Sequence, residues 1–303
     1  MTPSRILITG ATGFVGPYVR AACERAFPAA SIIPGSVDIA DRAAVFAMIE
    51  AARPEVVIHL AGVASVPAAR RDPGRAFAVN LQGTLNIAYA LLEKHPQALL
   101  INAGSSECYG NSFRAGVPLD ESAALAPQNT YAASKAAADL ALGAMAAESG
   151  LKTVRLRSFN HTGPGQSPDY VIPAFAAQVA AIQAGRQEPV IRVGNLAAER
   201  DFLDVRDIAA AFACVIAKGE TLEPGAIFNL ASGTPRKVGD ILAALIAASG
   251  LAIGVETDPE RFRPVDIPRA MGDSTKAQTQ LGWAPSIPFT TTLGDVLASF
   301  QPK

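Results

Sequence analysis

Tyr131 and Lys135 stand four residues apart in the segment Tyr131-Ala-Ala-Ser-Lys135. Positions four apart share one face of a helix, so a lysine cation and a phenol at this spacing can act on the same atoms. An unperturbed phenol has a pKa of about 10. Nearby positive charge favours the phenolate and eases proton exchange at neutral pH. Ser105, in Asn102-Ala-Gly-Ser-Ser-Glu-Cys-Tyr-Gly110, follows an expected strand, where its hydroxyl can hydrogen-bond the oxygen that exchanges a proton with Tyr131. Ser106 is the neighbouring alternative. Tyrosine and lysine at this spacing also occur at the start of an ordinary surface helix, so the pair gains meaning only from what surrounds it.

What surrounds it begins at the N-terminus. TGATGFVG places Gly10, Gly13 and Gly16 at the end of the first apolar run, residues 5–9. A phosphate on a helix N-terminus needs backbone N–H groups unobstructed by side chains, and the helix dipole favours its charge. A strand before and a helix after distinguish this loop from a simple tight turn. Gly10, Thr12, Gly13, Phe14, Val15 and Gly16 are therefore expected to hold a dinucleotide. Lys135 then has a second task, holding ribose hydroxyls. Asp38, followed by Ile39 after the second strand, can accept from an adenine amino group; an ordinary loop aspartate is the competing reading. Leu60, Ala61 and Gly62 end the third strand, where backbone passes the middle of the cofactor. His59 reads as a strand histidine satisfied within the protein. The second strand ends in Pro34-Gly35-Ser36, neither acid nor base, so both NADPH and NADH remain open.

The elements that must position these groups alternate. Strands are expected at 5–9, 31–34, 56–60, 98–102 and 153–158. Helices are expected at 14–27, 43–52, 75–95 and 131–149. This alternation implies an α/β fold with a doubly wound parallel sheet. After Asn160 the chain turns rich in Gly, Pro and polar residues. A helix at 172–184, short strands and a final helix at 293–300 suggest a smaller second region, while 205–217 and 227–230 return to the sheet. The expected division is a dinucleotide-binding domain of 1–159 plus 204–231, and a smaller C-terminal α/β domain of 160–203 plus 232–303.

Composition excludes other classes. Of 303 residues, half are hydrophobic and 17% charged, with 26 basic against 27 acidic, a balance that suggests neither nucleic acid nor membrane as a partner. The leading segment is too polar for a signal peptide, and no apolar run is long enough to span a bilayer. Three cysteines and three histidines, scattered, suggest neither a zinc site nor disulfides. No metal is expected, and the thiols read as those of a cytoplasmic protein.

TGATGFVG, HLAG, Asn80 in VNLQGT, SSECYG, YAASK and RDFLDVRD together resemble the extended short-chain dehydrogenase/reductase family, over essentially the whole chain. The resemblance implies a Rossmann domain, a nicotinamide cofactor also contacted by Asn80 and Phe159, and a nucleotide-sugar substrate. The segments HTGPGQ, VGNLAAERDFLDVRD and RFRP resemble most the members that reduce the C4 ketone of GDP-4-dehydro-6-deoxy-D-mannose. By that resemblance Asn160 contacts the diphosphate, Arg200 and Arg263 grip phosphate or ribose, and Val171 and Ile172 border the guanine. Ion pairing of Arg200 with Asp201 or Asp204, and a solvated charge at Arg263, are the bland alternatives. Glu107 lies where related GDP-mannose 4,6-dehydratases carry a carboxylate base, which keeps dehydration open; a UDP-sugar 4-epimerase is a further alternative. Sensors of this fold that catalyse nothing typically lack the Tyr–Lys pair present here. Family members often dimerise through helices that include the Tyr–Lys helix, so a homodimer is expected.

Overall fold

A computed structural model describes residues 1–261 and 267–301. The N-terminal part alternates as its hydrophobic pattern requires: β1 (Arg5–Thr9), α1 (Gly16–Ala26), β2 (Ser31–Gly35), α2 (Arg42–Ala52), β3 (Val56–His59), α3 (Val66–Arg71), α4 (Pro73–Phe77), α5 (Thr84–Lys94), β4 (Leu99–Ala103), α6 (Thr130–Ser149) and β5 (Thr153–Ser158). Then come β6 (Asn160–Thr162), α7 (Val171–Gln183), β7 (Val190–Val193), β8 (Glu199–Asp204), α8 (Val205–Lys218) and β9 (Ala226–Leu230). The described chain closes with β10 (Pro235–Lys237), α9 (Val238–Ser249), β11 (Gly254–Thr257), β12 (Arg269–Ala270) and α10 (Phe289–Phe300).

Six parallel strands form the main sheet, in the order β2-β1-β3-β4-β5-β9. Its strands are apolar because both faces are covered. Side chains alternate: Ile6 and Ile8 enter one core with Val19 and Phe212, while Leu7 enters the other with Ile49 and Ile87. This is the Rossmann-type doubly wound sheet. The order reverses between β1 and β3, so the crevice beyond their C-terminal ends is where such sheets take ligands.

A third, smaller core forms around Phe175, Val179, Ile191, Phe202, Leu245 and Val296. Its strands are β8, which pairs with β6, β10 and β12, and β7, which pairs with β11. The chain crosses back once: α8 packs on α1, and β9 joins the main sheet beside β5. Ala277, Leu281 and Trp283 also pack in the main sheet's core, though they lie in the stretch expected for the smaller region.

The expected helix over 75–95 is a composite. α4 and α5 are joined without a break by a π-helical segment, Ala78–Gly83, centred near Asn80. Periodicity reads a π turn as uninterrupted helix because only one extra residue is inserted. α3 and α9 carry no cue as strong as those of the first-half helices. Among the described residues no helix is long and apolar enough to cross a membrane.

Candidate active site

The three loop glycines are needed for different reasons. Gly10 has a φ of 70°, and a Cβ there would lie 2.6 Å from the Ala61 backbone nitrogen. A Cβ on Gly16 would lie 2.2 Å from the Ala11 carbonyl oxygen. Both serve close packing inside the protein. Gly13 is exposed, and its only close neighbour would be the Gly10 carbonyl oxygen at 3.3 Å. The missing side chain at Gly13 therefore keeps space open to solvent, as a ligand lying on the loop needs. Exposed Thr12 lies beside it, and Val15 leads into α1, whose second residue is Pro17. This cradle at the switch point fits a dinucleotide pyrophosphate.

His59 is satisfied internally. Thr84 donates to the Asn80 carbonyl at 2.7 Å, so its hydroxyl oxygen is left to accept from His59 Nε2 at 3.1 Å. His59 Nδ1 then accepts from Thr9 at 2.7 Å, and Thr9 accepts in turn from the Ala61 N–H. Burial, and secondarily the Lys135 charge, push this imidazole down to about 3, so it stays neutral. Asn80 is likewise used within the protein. It accepts from Val63 N–H at 2.8 Å and donates to the Val63 carbonyl and to Ser134. Its side chain clamps the loop Leu60–Val63 against α6.

α6 starts cleanly because Asn129 accepts from the Ala132 N–H at 2.9 Å. Tyr131 and Lys135 stand one turn apart on it. Ser105 is buried and accepts from the Glu107 N–H at 3.2 Å. Burial raises the Tyr131 pKa above its ordinary value, opposed by Ser105 and assisted by Glu107 and Tyr170. The net shift is upward, against the depression expected from the Lys135 charge. Lys135 donates to the Ala103 carbonyl at 2.9 Å, and burial lowers its own pKa to about 8. A Cβ on exposed Gly62 would lie 3.4 Å from the Lys135 ammonium, which puts that charge beside the open loop after β3.

The loop carrying Ser105 and Glu107 is braced from below. Tyr109 donates to Asn229 at 2.7 Å and accepts from Arg157 at 3.0 Å. Arg157 and Arg155 both pair with buried Asp139 of α6, at 2.8 and 3.0 Å. Ser106 is buried beside Ser105.

A cavity of about 250 Å³ opens next to this set, lined by Glu107, Asn160, Tyr170, Val171, Arg192 and Arg200, among others. Four residues expected from sequence to meet a nucleotide sugar or its reacting end are thus on one cavity: Glu107, Asn160, Val171 and Arg200. Arg200 donates to the Glu199 carbonyl at 2.9 Å. Asp201 accepts from Ser232, Gly233 and Gly272, and Asp204 from Arg206 and Thr292. Arg192 was missed from sequence; it is the exposed position of the alternating strand β7, between buried Ile191 and Val193. Tyr170, at the N-cap position of α7, was also missed.

Other expectations are corrected. Phe159 is buried in an aromatic cluster with Tyr109 and Phe113, its N–H donates to Leu230 and its carbonyl meets His161 Nδ1. It has no side-chain face toward a cofactor. Ile172 points into the smaller core, because one helical step from Val171 turns a side chain by roughly 100°. Ile39 is buried under Gly83, leaving only backbone to meet an adenine. Asp38 is exposed and paired with Arg75 at 3.0 Å; the Ala40 N–H and Arg75 hold its carboxyl below the usual range. Arg263 lies outside the described residues. Phe14 stacks on His161 with ring centroids 6.2 Å apart, and Tyr18 donates to the Pro164 carbonyl at 2.7 Å. These two contacts join the glycine loop to the segment that follows Asn160. Among the described residues no group of three or more His, Cys, Asp or Glu is arranged to hold a metal.

A family model described as GDP-mannose 4,6 dehydratase matches residues 29–296. GDP-6-deoxy-D-mannose reductase of Pseudomonas aeruginosa is 31% identical over 301 residues, covering 99% of this chain and 98% of that protein. The solved structure of RMD from Pseudomonas aeruginosa complexed with NADPH is similar with a TM-score of 0.90 and 31% identity, covering 98% of this chain and 99% of that one. UDP-glucose 4-epimerase of Thermus thermophilus in complex with NAD gives a TM-score of 0.85 at 27% identity, covering 98% of each chain.

Proposed function

The chain belongs to the GDP-mannose 4,6-dehydratase family of extended short-chain dehydrogenases/reductases, and from that premise we propose that it reduces the C4 ketone of GDP-4-dehydro-6-deoxy-D-mannose to GDP-6-deoxy-D-mannose (GDP-D-rhamnose). The observation that carries this reading is the Tyr131–Lys135 pair on one face of α6, with buried Ser105 on the facing loop, beside a cavity lined by Glu107, Arg192, Arg200 and Asn160. A bound reduced nicotinamide, NADPH or NADH, supplies a hydride to the carbonyl carbon. Tyr131 gives its proton to the oxygen that becomes the alcohol and regains one from solvent. Ser105 hydrogen-bonds that oxygen as negative charge develops. Lys135 holds the ribose hydroxyls of the cofactor, and the Gly10–Gly16 loop holds its pyrophosphate. Arg192 and Arg200 bind the sugar diphosphate with guanidinium forks suited to phosphate. Asn160 contacts the same group, and Val171 lies beside the base.

One observation favours a second reading. Glu107 lines the cavity and its charge helps to raise the Tyr131 pKa, and a carboxylate there can serve as the base of a 4,6-dehydratase. One paired assay separates the two. With the keto sugar and NADPH or NADH, loss of reduced nicotinamide absorbance supports reduction; no oxidation of either cofactor rejects it. Conversion of GDP-mannose to the keto sugar without net cofactor use establishes dehydration instead.

The proposed division of labour places the cofactor on residues 1–159 plus 204–231, and the sugar largely on 160–203 plus 232–303. We place the protein in the cytoplasm and infer a homodimer through α5 and α6, which expose Tyr89 and Leu140. Sedimentation at a single mass of one chain would reject the dimer.

A further inference from the structure

Ser134 lies between the two reactive residues of α6. It is fully buried, and its hydroxyl donates back to the Tyr131 carbonyl at 2.8 Å. The same oxygen accepts from Asn80 Nδ2 at 2.9 Å. That donor belongs to a longer chain of hydrogen bonds whose direction is forced at every step. The Val63 N–H requires an acceptor, so it fixes the oxygen of the Asn80 amide on its side and leaves the Nδ2 hydrogens for the Val63 carbonyl and Ser134. The Asn80 carbonyl accepts from Thr84, the Thr84 oxygen from His59 Nε2, and His59 Nδ1 from Thr9. Thr9, the last residue of β1, immediately precedes Gly10 of the glycine loop. Thr9, His59, Asn80, Thr84 and Ser134 are each no more than 2% exposed, so solvent competes at none of these links. Burial keeps His59 neutral, so the order of donors holds across the working pH range. The bonds run unbroken from the glycine loop to the turn that carries Tyr131.

The helix itself does not call for this serine. A hydroxyl that bonds back to the preceding turn slightly weakens or bends a helix, and alanine is the better helix former. Alanines stand at 132, 133, 136, 137 and 138 around it. The hydroxyl at 134 is explained by Asn80, whose second Nδ2 hydrogen would otherwise be buried without a partner. Asn80 in turn sits against the reactive groups: a Cβ on Gly62 would lie 2.9 Å from its Oδ1 and 3.4 Å from the Lys135 ammonium. Ser134 carries the chain across to α6, and it enters at the carbonyl of Tyr131 itself. Members of a buried polar network of this kind act together rather than one by one.

Resting on the reading of Tyr131 as proton donor to the sugar ketone, we propose that Ser134 is a positioning residue: with Asn80 and Thr84 it holds the first turn of α6 so that the Tyr131 phenol stays in register with the cofactor on the glycine loop. It takes no part in the bond changes. The test is the rate of hydride transfer in a single turnover of GDP-4-dehydro-6-deoxy-D-mannose with saturating NADPH, in a double-mutant cycle of Ser134→Ala and Thr84→Val. Each change removes one hydroxyl and nearly keeps the volume. Each should slow hydride transfer about fivefold, the weight of one such bond, with NADPH affinity unchanged. The double variant should also be slowed about fivefold rather than about twenty-five-fold, because both changes cut one path. Thr84→Ser, which keeps the hydroxyl, should retain the wild-type rate. Losses that multiply, or a wild-type rate in Ser134→Ala, overturn the proposal. A Thr84→Ser as slow as Thr84→Val overturns it too, since packing then accounts for the loss. NMR of the isotope-labelled Tyr131 ring, assigned through Tyr131→Phe, gives a readout without substrate. Its resonance should move in Ser134→Ala and stay in place in Thr84→Ser; an unmoved resonance in Ser134→Ala overturns the proposal even where Thr84→Val fails to fold. No oxidation of NADPH by the wild type removes the substrate reading alone, and the resonance still decides the role of Ser134.

Discussion

Burial moves the two reactive side chains of α6 in opposite directions: the Tyr131 phenol holds its proton more tightly and the Lys135 ammonium less tightly. A phenol that stays protonated suits a donor to a nascent alkoxide. Replacement Tyr131→Phe should leave NADPH binding intact and lower kcat by about 10²- to 10⁴-fold, the usual weight of general acid catalysis, as measured by fluorescence titration and steady-state turnover. Lys135 titrates near 8 in the folded free enzyme, against an unfolded value of about 10.4. NADPH affinity should therefore be level below about pH 8 and fall above it, and Lys135→Met should be weaker throughout and lose this pH dependence. The stability sign is the reverse. Between about 8 and 10.4 the unfolded chain binds the proton that the folded chain has lost, so stability attributable to this site rises with pH. Lys135→Met should consequently melt higher than wild type at pH 7, by on the order of 1 kcal/mol, while turning over more slowly. Tyr131, Lys135 and Ser105 were legible because their spacing and setting define their chemistry. Phe159 and Ile172 were not, because the direction of a side chain at a strand end or first helical turn is decided by which core it meets.

The strand–loop–helix elements make a sharper contrast than the glycine motif alone. Gly10→Ala and Gly16→Ala each drive a Cβ into backbone, and each should destabilise by about 1–3 kcal/mol. Gly13→Ala meets a single backbone atom, the Gly10 carbonyl oxygen at 3.3 Å, so it should destabilise less than the other two while NADPH affinity falls on the order of tenfold. Equal loss of stability in all three variants would refute this division. The pairs between Asp139 and the two arginines lie under the Ser105 loop. Asp139→Asn should cost about 3–5 kcal/mol by denaturant unfolding, because it leaves buried guanidinium charge poorly matched. The period of the apolar residues sufficed to place the main strands and helices to within a few residues. It could not reveal the π segment at Asn80, nor the short pairings of β6, β8, β10 and β12, whose partners are far apart in sequence.

Across the molecule, the glycine loop and the start of α1 are joined to the segment after Asn160 by the Phe14–His161 stack and the Tyr18–Pro164 hydrogen bond. NADPH bound on the glycine loop should therefore slow amide exchange at residues 159–166 as well as at 10–16; protection confined to 10–16 would show the two sides to be independent. The parallel sheet and the glycine loop announced a dinucleotide enzyme from sequence. The choice of sugar rests instead on side chains brought together from Glu107, Asn160, Val171, Arg192 and Arg200, which no local pattern connects. The most direct measurement is a single turnover of GDP-4-dehydro-6-deoxy-D-mannose with NADPH carrying deuterium at both nicotinamide C4 positions, followed by mass spectrometry and NMR of the sugar. Reduction as proposed places one deuterium on sugar C4 of the GDP-6-deoxy-D-mannose formed, at a rate that collapses in Tyr131→Phe. Unlabelled product, deuterium on another carbon, or an unaltered rate in that variant would contradict it.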